Sequence, residues 1–210
     1  MSFDPQKHNR RSIRLNGYDY TTPGAYFITV CTFQRESLFG EVVDGAVKLN
    51  DLGKIVNHAW HDLPNHYSHV IMDQFCIMPN HIHGIIILND HIRNTGGSET
   101  RPYKNSRTDK NTHPDNYTQP YNNTRSFNSH PHPDKHHGLP EIVRAFKSFS
   151  SRRINELLES PGVPTWQRNY YDHIIRDEHE LRAVQDYVLS NPLNWESDPD
   201  NPVISVTPPK

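Results

Sequence analysis

Little of this chain is apolar. Only 33% of its 210 residues are hydrophobic and mean hydropathy is −0.84, low for a compact protein, so an ordinary core must be diluted by a sizeable polar segment. No apolar run is long enough to span a bilayer and no secretory signal pattern is present. A membrane protein is therefore not expected, and the chain reads as soluble and cytoplasmic. Cysteine is scarce too: Cys31 and Cys76 each lie inside a strand-like apolar run. That is too few for a disulfide scaffold and fits reduced core thiols. Nor is there an excess of charge, with 22 Lys and Arg against 24 Asp and Glu, net −2. Without a global basic field, contact with nucleic acid must come from local clusters. The length fits one domain.

Two such clusters exist. Residues 1–24 form a basic arm in which Lys7, Arg10, Arg11 and Arg14 face only Asp4 over the first fifteen positions, net +3. The second is Arg144, Lys147, Arg152 and Arg153, on the polar side of a helix expected over about 140–158. Each reads either as a solvated surface or as a phosphate-contacting one. Histidine is abundant, at 15 residues, but much of it is in a segment of a different kind. Across the 47 positions 91–137 the only bulky apolar residues are Ile92, Tyr103, Tyr117, Tyr121 and Phe127. Such a stretch buries too little to offset its ordering entropy and is expected to be a disordered insertion. His130, His132, His136 and His137 at its end are read as a solvated tract rather than metal ligands.

The remainder is regularly patterned. Ala25–Phe33 is aromatic and β-branched on both faces, which suits a central strand. Asp44-Gly45 signals a hairpin turn between Glu41–Val43 and Ala46–Leu49. Asn50 can cap a helix over about 51–63, whose apolar stripe runs through Leu52, Ile55, Val56, Ala59, Trp60 and Leu63 before Pro64-Asn65 ends it. Strands follow at 69–78 and 81–88 around Pro79-Asn80, then the helix to Leu158, a strand at 170–175, and a last helix capped by Asp177 and stopped at Asn191-Pro192, where Pro192 pushes Asn191 off helical geometry. Apart from the hairpin and last helix this is βαββαβ. We therefore expect an α+β, ferredoxin-like antiparallel sheet with helices on one face, a single domain over 25–195 interrupted at 91–137 and followed by an acidic, Pro-rich tail over 196–210.

The chemistry centres on Met78-Pro79-Asn80-His81-Ile82-His83-Gly84. Alternate strand residues share a face, so His81 and His83 point together and could hold one divalent metal, although any His-x-His strand also reads as a hydrogen-bonded pair. On the last helix Tyr187 and Asn191 stand at i and i+4, both towards the side that packs. They read as a half-buried tyrosine and a capping asparagine, or as a nucleophile and an oxygen-donating ligand. Tyr170 and Tyr171 compete as nucleophiles on residue type alone.

The Met-Pro-Asn-His-Ile-His-Gly block resembles the His-hydrophobic-His motif of the HUH single-tyrosine transposases, the insertion-sequence-200-like group. Trp166-Gln167, His173, Arg176, Asp186-Tyr187-Val188 and Asn191-Pro192 resemble the C-terminal signature of their REP-associated branch. The resemblance implies an enzyme. His81, His83 and Asn191 would hold Mg²⁺ or Mn²⁺, Tyr187 would attack a scissile phosphate in single-stranded or hairpin DNA, and a 5′-phosphotyrosine link would form, at palindromic repeats, in a nucleoid-associated protein acting as monomer or homodimer. His173 would stand beside the site or serve a structural role in the last strand, and Arg10, Arg11, Arg14, Arg144, Lys147, Arg152 and Arg153 would contact DNA. Imidazole partners Mn²⁺ better than Mg²⁺, which leaves the metal open. Two rival classes are a domesticated, non-catalytic nucleic-acid-binding protein and a metallohydrolase with a water nucleophile.

Overall fold

The computed structural model describes residues 14–90, 137–198 and 200–201. Arg10 and Arg11, the expected insertion apart from His137, and the end of the tail lie outside the described residues. Strand β1 (Gly24–Cys31) leads to the hairpin β2 (Gly40–Val43) and β3 (Ala46–Leu49), then α1 (Asp51–His61), a single turn α2 (Leu63–His66), β4 (Val70–Ile77), β5 (His81–Leu88), α3 (Leu139–Leu157), β6 (Tyr171–Ile175) and α4 (Glu178–Ser190). Local chemistry accounts for most of these boundaries. Asp44 and Gly45 both take positive φ, 53° and 72°, the left-handed pair that a two-residue hairpin requires. Asn50 Oδ1 accepts from the Gly53 amide and Asp177 Oδ1 from the Glu180 amide, so both expected N-caps form. Pro64 does not stop helical structure at once, because it sits in the first turn of α2, where its missing N–H is not needed.

The main sheet runs β4-β5-β1-β6 with every neighbouring pair antiparallel, which is the ferredoxin-like arrangement. Tyr26, Ile28 and Val30 of β1 and Ile82 and Ile86 of β5 join Val56, Trp60, Ile142, Val143 and Phe146 in the larger core. This places α1 and α3 on one face. The alternate residues Phe27, Ile85 and Ile175 pack with Leu181 and Val188 of α4 on the other. The two helices of the βαββαβ core thus share a face as expected, and the added C-terminal helix covers the opposite one. Gly84 is required for the first face: a Cβ there would lie 2.3 Å from the Trp60 ring, which is itself stacked on Phe75 at 4.3 Å. No helix among the described residues is long and apolar enough to cross a membrane.

Both ends of the 91–136 segment are fastened at one residue. The Asn89 amide donates to the His69 carbonyl, and His69 Nε2 donates to the His137 carbonyl. That junction lies at the Leu88 end of β5, whereas the histidines occupy its start, roughly 20 Å away at strand rise.

Candidate functional site

His81 and His83 stand on the α4 side of β5, opposite Cys31 and Thr29 of β1. Both are buried, and Nε2 of one lies 3.0 Å from Nε2 of the other. Their hydrogen bonds determine which nitrogens are free. Asn80 Nδ2 donates to the carbonyls of Asp200 (2.6 Å) and Arg35 (3.3 Å), which can only accept. Asn80 Oδ1 is therefore the atom 2.8 Å from His81 Nδ1, so that ring nitrogen carries the proton and His81 Nε2 keeps its lone pair. His83 Nδ1 meets the Thr29 hydroxyl at 2.9 Å. Thr29 can donate or accept, so it suits either tautomer of His83. Burial holds both rings well below the ordinary histidine value, His81 at about 4 and His83 at about 3; the charge of Asp198 partly opposes this at His81, and the neighbouring ring adds to it at His83.

Helix α4 brings the remaining groups. The Tyr187 hydroxyl is 3.4 Å from His83 Nε2, and Phe27 packs against both rings, stacked on His83 at 5.5 Å and edge-on to Tyr187 at 5.9 Å. Burial and the charge of Asp198 raise the Tyr187 pKa, while the Asn191 side-chain amide, acting as a donor to the same hydroxyl, pulls it down. Asn191 does not leave helical geometry before Pro192. It takes φ −56° and ψ −43°, and the chain tightens into a 3₁₀ segment, Asn191–Ser197, with Pro192 in the first turn, where the absent N–H costs nothing. This keeps Asn191 one turn from Tyr187 and almost fully buried, with Oδ1 lacking any hydrogen-bond partner.

These residues fit a divalent cation. Two nitrogen ligands at about 2.1 Å in adjacent octahedral positions are separated by about 3.0 Å, the spacing of the two Nε2 atoms. An orphaned buried amide oxygen is a hard donor in need of a partner. Among the described residues no group of three or more His, Cys, Asp or Glu is placed to share an ion; the candidate donors are the two imidazole nitrogens and, one helical turn from Tyr187, the Asn191 amide oxygen.

The other expected residues are placed differently. His173 hydrogen-bonds Glu180 at 2.7 Å, tying β6 to the first turn of α4, and touches the histidine pair only through its strand neighbour Phe27. Lys147 is no solvated cation: Nζ donates to the carbonyls of Gln167 and Arg168, and burial depresses its pKa to about 8. Arg144 pairs with Glu141, Arg153 lies over Phe149, and Arg152 lines a second cleft with Asn155 and Glu156. Helix α3 carries these four on the sheet face opposite the histidines. Arg14 donates to the Tyr170 hydroxyl. Sequence reasoning missed Asn80, Thr29, Trp195 and Asp198. Of these only Asn80, inside the histidine motif, offered a signal. The acidic, Pro-rich tail over 196–210 carries no core signal, yet Asp200 of that tail pairs with Arg35 and binds Asn80; Trp195, just before it, brings its ring to 6.1 Å from His81.

Three comparisons bear on this arrangement. No protein-family model matches the chain. It is 35% identical over 194 residues to an uncharacterized protein of Haemophilus influenzae, spanning 91% of this chain and 92% of that one, and belongs to the same family. Among solved structures it resembles a REP-associated tyrosine transposase bound to a REP hairpin, with 15% identity, 86% of this chain and 73% of that chain covered, and a TM-score of 0.50. That likeness is one of fold, and it agrees with the resemblance carried by the two motif blocks.

Proposed function

We propose that this chain, with the fold of a tyrosine transposase, is a metal-dependent transposase that cleaves and rejoins single-stranded DNA through a 5′-phosphotyrosine at Tyr187, at palindromic or hairpin repeats. The observation that carries this reading is the convergence of one tyrosine hydroxyl, 3.4 Å from His83 Nε2, with two imidazole nitrogens 3.0 Å apart.

In the proposed reaction Tyr187 Oη attacks the scissile phosphorus. The new P–O bond to the tyrosine forms as the bond to the 3′ oxygen breaks, and the phenolic proton ends on the released 3′-hydroxyl. One phosphodiester replaces another, so no ATP is consumed. A second 3′-hydroxyl then attacks the phosphotyrosine, and the phenol regains its proton. A Mg²⁺ or Mn²⁺ ion held by His81 Nε2, His83 Nε2 and Asn191 Oδ1 would supply Lewis-acid polarisation of the phosphate. Asn80 keeps the proton of His81 on Nδ1, and Thr29 accepts that of His83 once it has moved to Nδ1. Phe27 fixes the His83 ring plane, and the Asn191 amide favours the phenolate that burial and Asp198 disfavour. Arg14, with Arg10 and Arg11, and Arg144, Arg152 and Arg153 of α3 are assigned to the DNA backbone away from the reacting phosphate.

The test is a labelled DNA hairpin incubated with Mn²⁺ or Mg²⁺ and resolved under denaturing conditions. A covalent protein–DNA adduct that disappears in Tyr187→Phe is expected. Cleavage without an adduct would mean a water nucleophile, and salt-sensitive binding with neither would mean a binding module.

A further inference from the structure

An open cleft of about 450 Å³ runs from the reacting groups His83 and Tyr187 to Gln167, Asn169 and Tyr171, which the reaction as written does not use. His83, Tyr187, Phe27, Tyr171 of the edge strand, Gln167 and Asn169 are among the residues that line it. Three features define what it would take. Tyr171 keeps 50% of its surface exposed although it stands on the same sheet face as the buried Phe27, with its ring edge-on to Phe27 at 6.3 Å. Helix α4, which covers Ile85 and Ile175 of this face, leaves that ring open. No described residue hydrogen-bonds the side-chain amide of Gln167 or Asn169, so each offers a donor and an acceptor to an occupant. Arg35, which lines the cleft, is paired with Asp200, so the cleft favours a neutral planar group over a phosphate. The volume falls within the roughly 300–1,000 Å³ range of small-molecule sites, room for one nucleotide.

We infer that this cleft is a nucleobase subsite: an unpaired base next to the scissile phosphate stacks on Tyr171 and presents its edge to the amides of Gln167 and Asn169. The inference rests on the strand-transferase reading for the position of the phosphate. It adds a protein-borne selection of the base beside the cut, because the aromatic face accepts any base while the two amides discriminate among their edges.

The experiment uses the full chain and stem-loop oligonucleotides with single-stranded tails drawn from repeats of its own genome, carrying 2-aminopurine at each unpaired position in turn. One position should be quenched on binding. Tyr171→Ala should restore its emission and weaken binding roughly 5- to 150-fold, Tyr171→Phe should behave as the unaltered protein, and an abasic residue at that position should abolish the difference. Equal affinity of Tyr171→Ala for the intact strand, or an equal loss on the abasic strand, would overturn the subsite. Adduct formation by the unaltered protein is scored in parallel. An adduct without quenching defeats the subsite alone, whereas no adduct defeats the reading on which it rests.

Discussion

Replacing Asn80 with leucine removes one buried amide that joins three segments of chain. Among the described residues its Oδ1 is the hydrogen-bond partner of His81 Nδ1, and its Nδ2 binds the Asp200 carbonyl at 2.6 Å. Asn80 and His81 are each 1% exposed, so His81 Nδ1 cannot turn to water. A buried polar group left unpaired costs about 1–3 kcal/mol, so orphaning His81 Nδ1 alone should cost about that much, and orphaning the Asp200 carbonyl as well up to roughly 6 kcal/mol. The melting temperature should fall by about 2–4 °C for each kcal/mol in a domain of this size. Without Oδ1 nothing selects the His81 tautomer, and losing such a support lowers metal affinity by about 10- to 100-fold. Asn80→Asp separates the two effects. It keeps an acceptor for His81 Nδ1 but sets an oxygen against the Asp200 carbonyl, so it should melt early while binding Mn²⁺ at least as well as the unaltered protein. The assay is calorimetric Mn²⁺ titration without DNA, paired with thermal melts of all three proteins. A folded Asn80→Leu protein with undiminished Mn²⁺ affinity would refute the reasoning, as would an Asn80→Asp protein as impaired as the leucine variant.

Gly84→Ala would drive a methyl group into the Trp60 ring at 2.3 Å; overpacking of this kind costs about 1–3 kcal/mol, to be read as a lower urea midpoint at unchanged m-value. Burial holds His81 near 4 and His83 near 3, so below about pH 6.5 the unfolded chain takes up protons that the native one refuses. Stability should be complete above that pH and fall by about 1.4 kcal/mol per unit for each ring as pH drops towards the native values. Urea titrations at two pH values should show this slope, and His81→Gln with His83→Gln should flatten it; equal slopes would contradict it. His173→Ala breaks a part-exposed pair with Glu180, so stability should fall only slightly with adduct yield unchanged. A folded variant that formed no adduct would move His173 into the site.

What was legible in the sequence is what short-range physics controls. Asp44-Gly45 dictated a hairpin, Asn50 and Asp177 dictated caps, and strand alternation put His81 and His83 on one face. Pro192 shows the limit of a local rule: the preceding residue is disfavoured in helical geometry, yet burial of Asn191 against the α4 side and a tighter following turn overrode that preference. Lys147 shows another. Helical periodicity placed it on a polar side, but only the packed structure brings the carbonyls of Gln167 and Arg168 to its ammonium. The Asn80 contact to Asp200 spans 120 positions, and Asp198 acts on both His81 and Tyr187 from a segment with no core pattern. Contacts of that range are set by tertiary packing, and no local periodicity encodes them.

The central claim is that Tyr187 is the nucleophile. The most direct measurement is proteolysis of the protein after reaction with a DNA hairpin and Mn²⁺, followed by mass mapping of the nucleotide-bearing peptide. The account predicts the nucleotide on Tyr187 through its 5′ phosphate. A nucleotide on Tyr170 or Tyr171, or cleaved DNA with no nucleotide on any tyrosine, would contradict it.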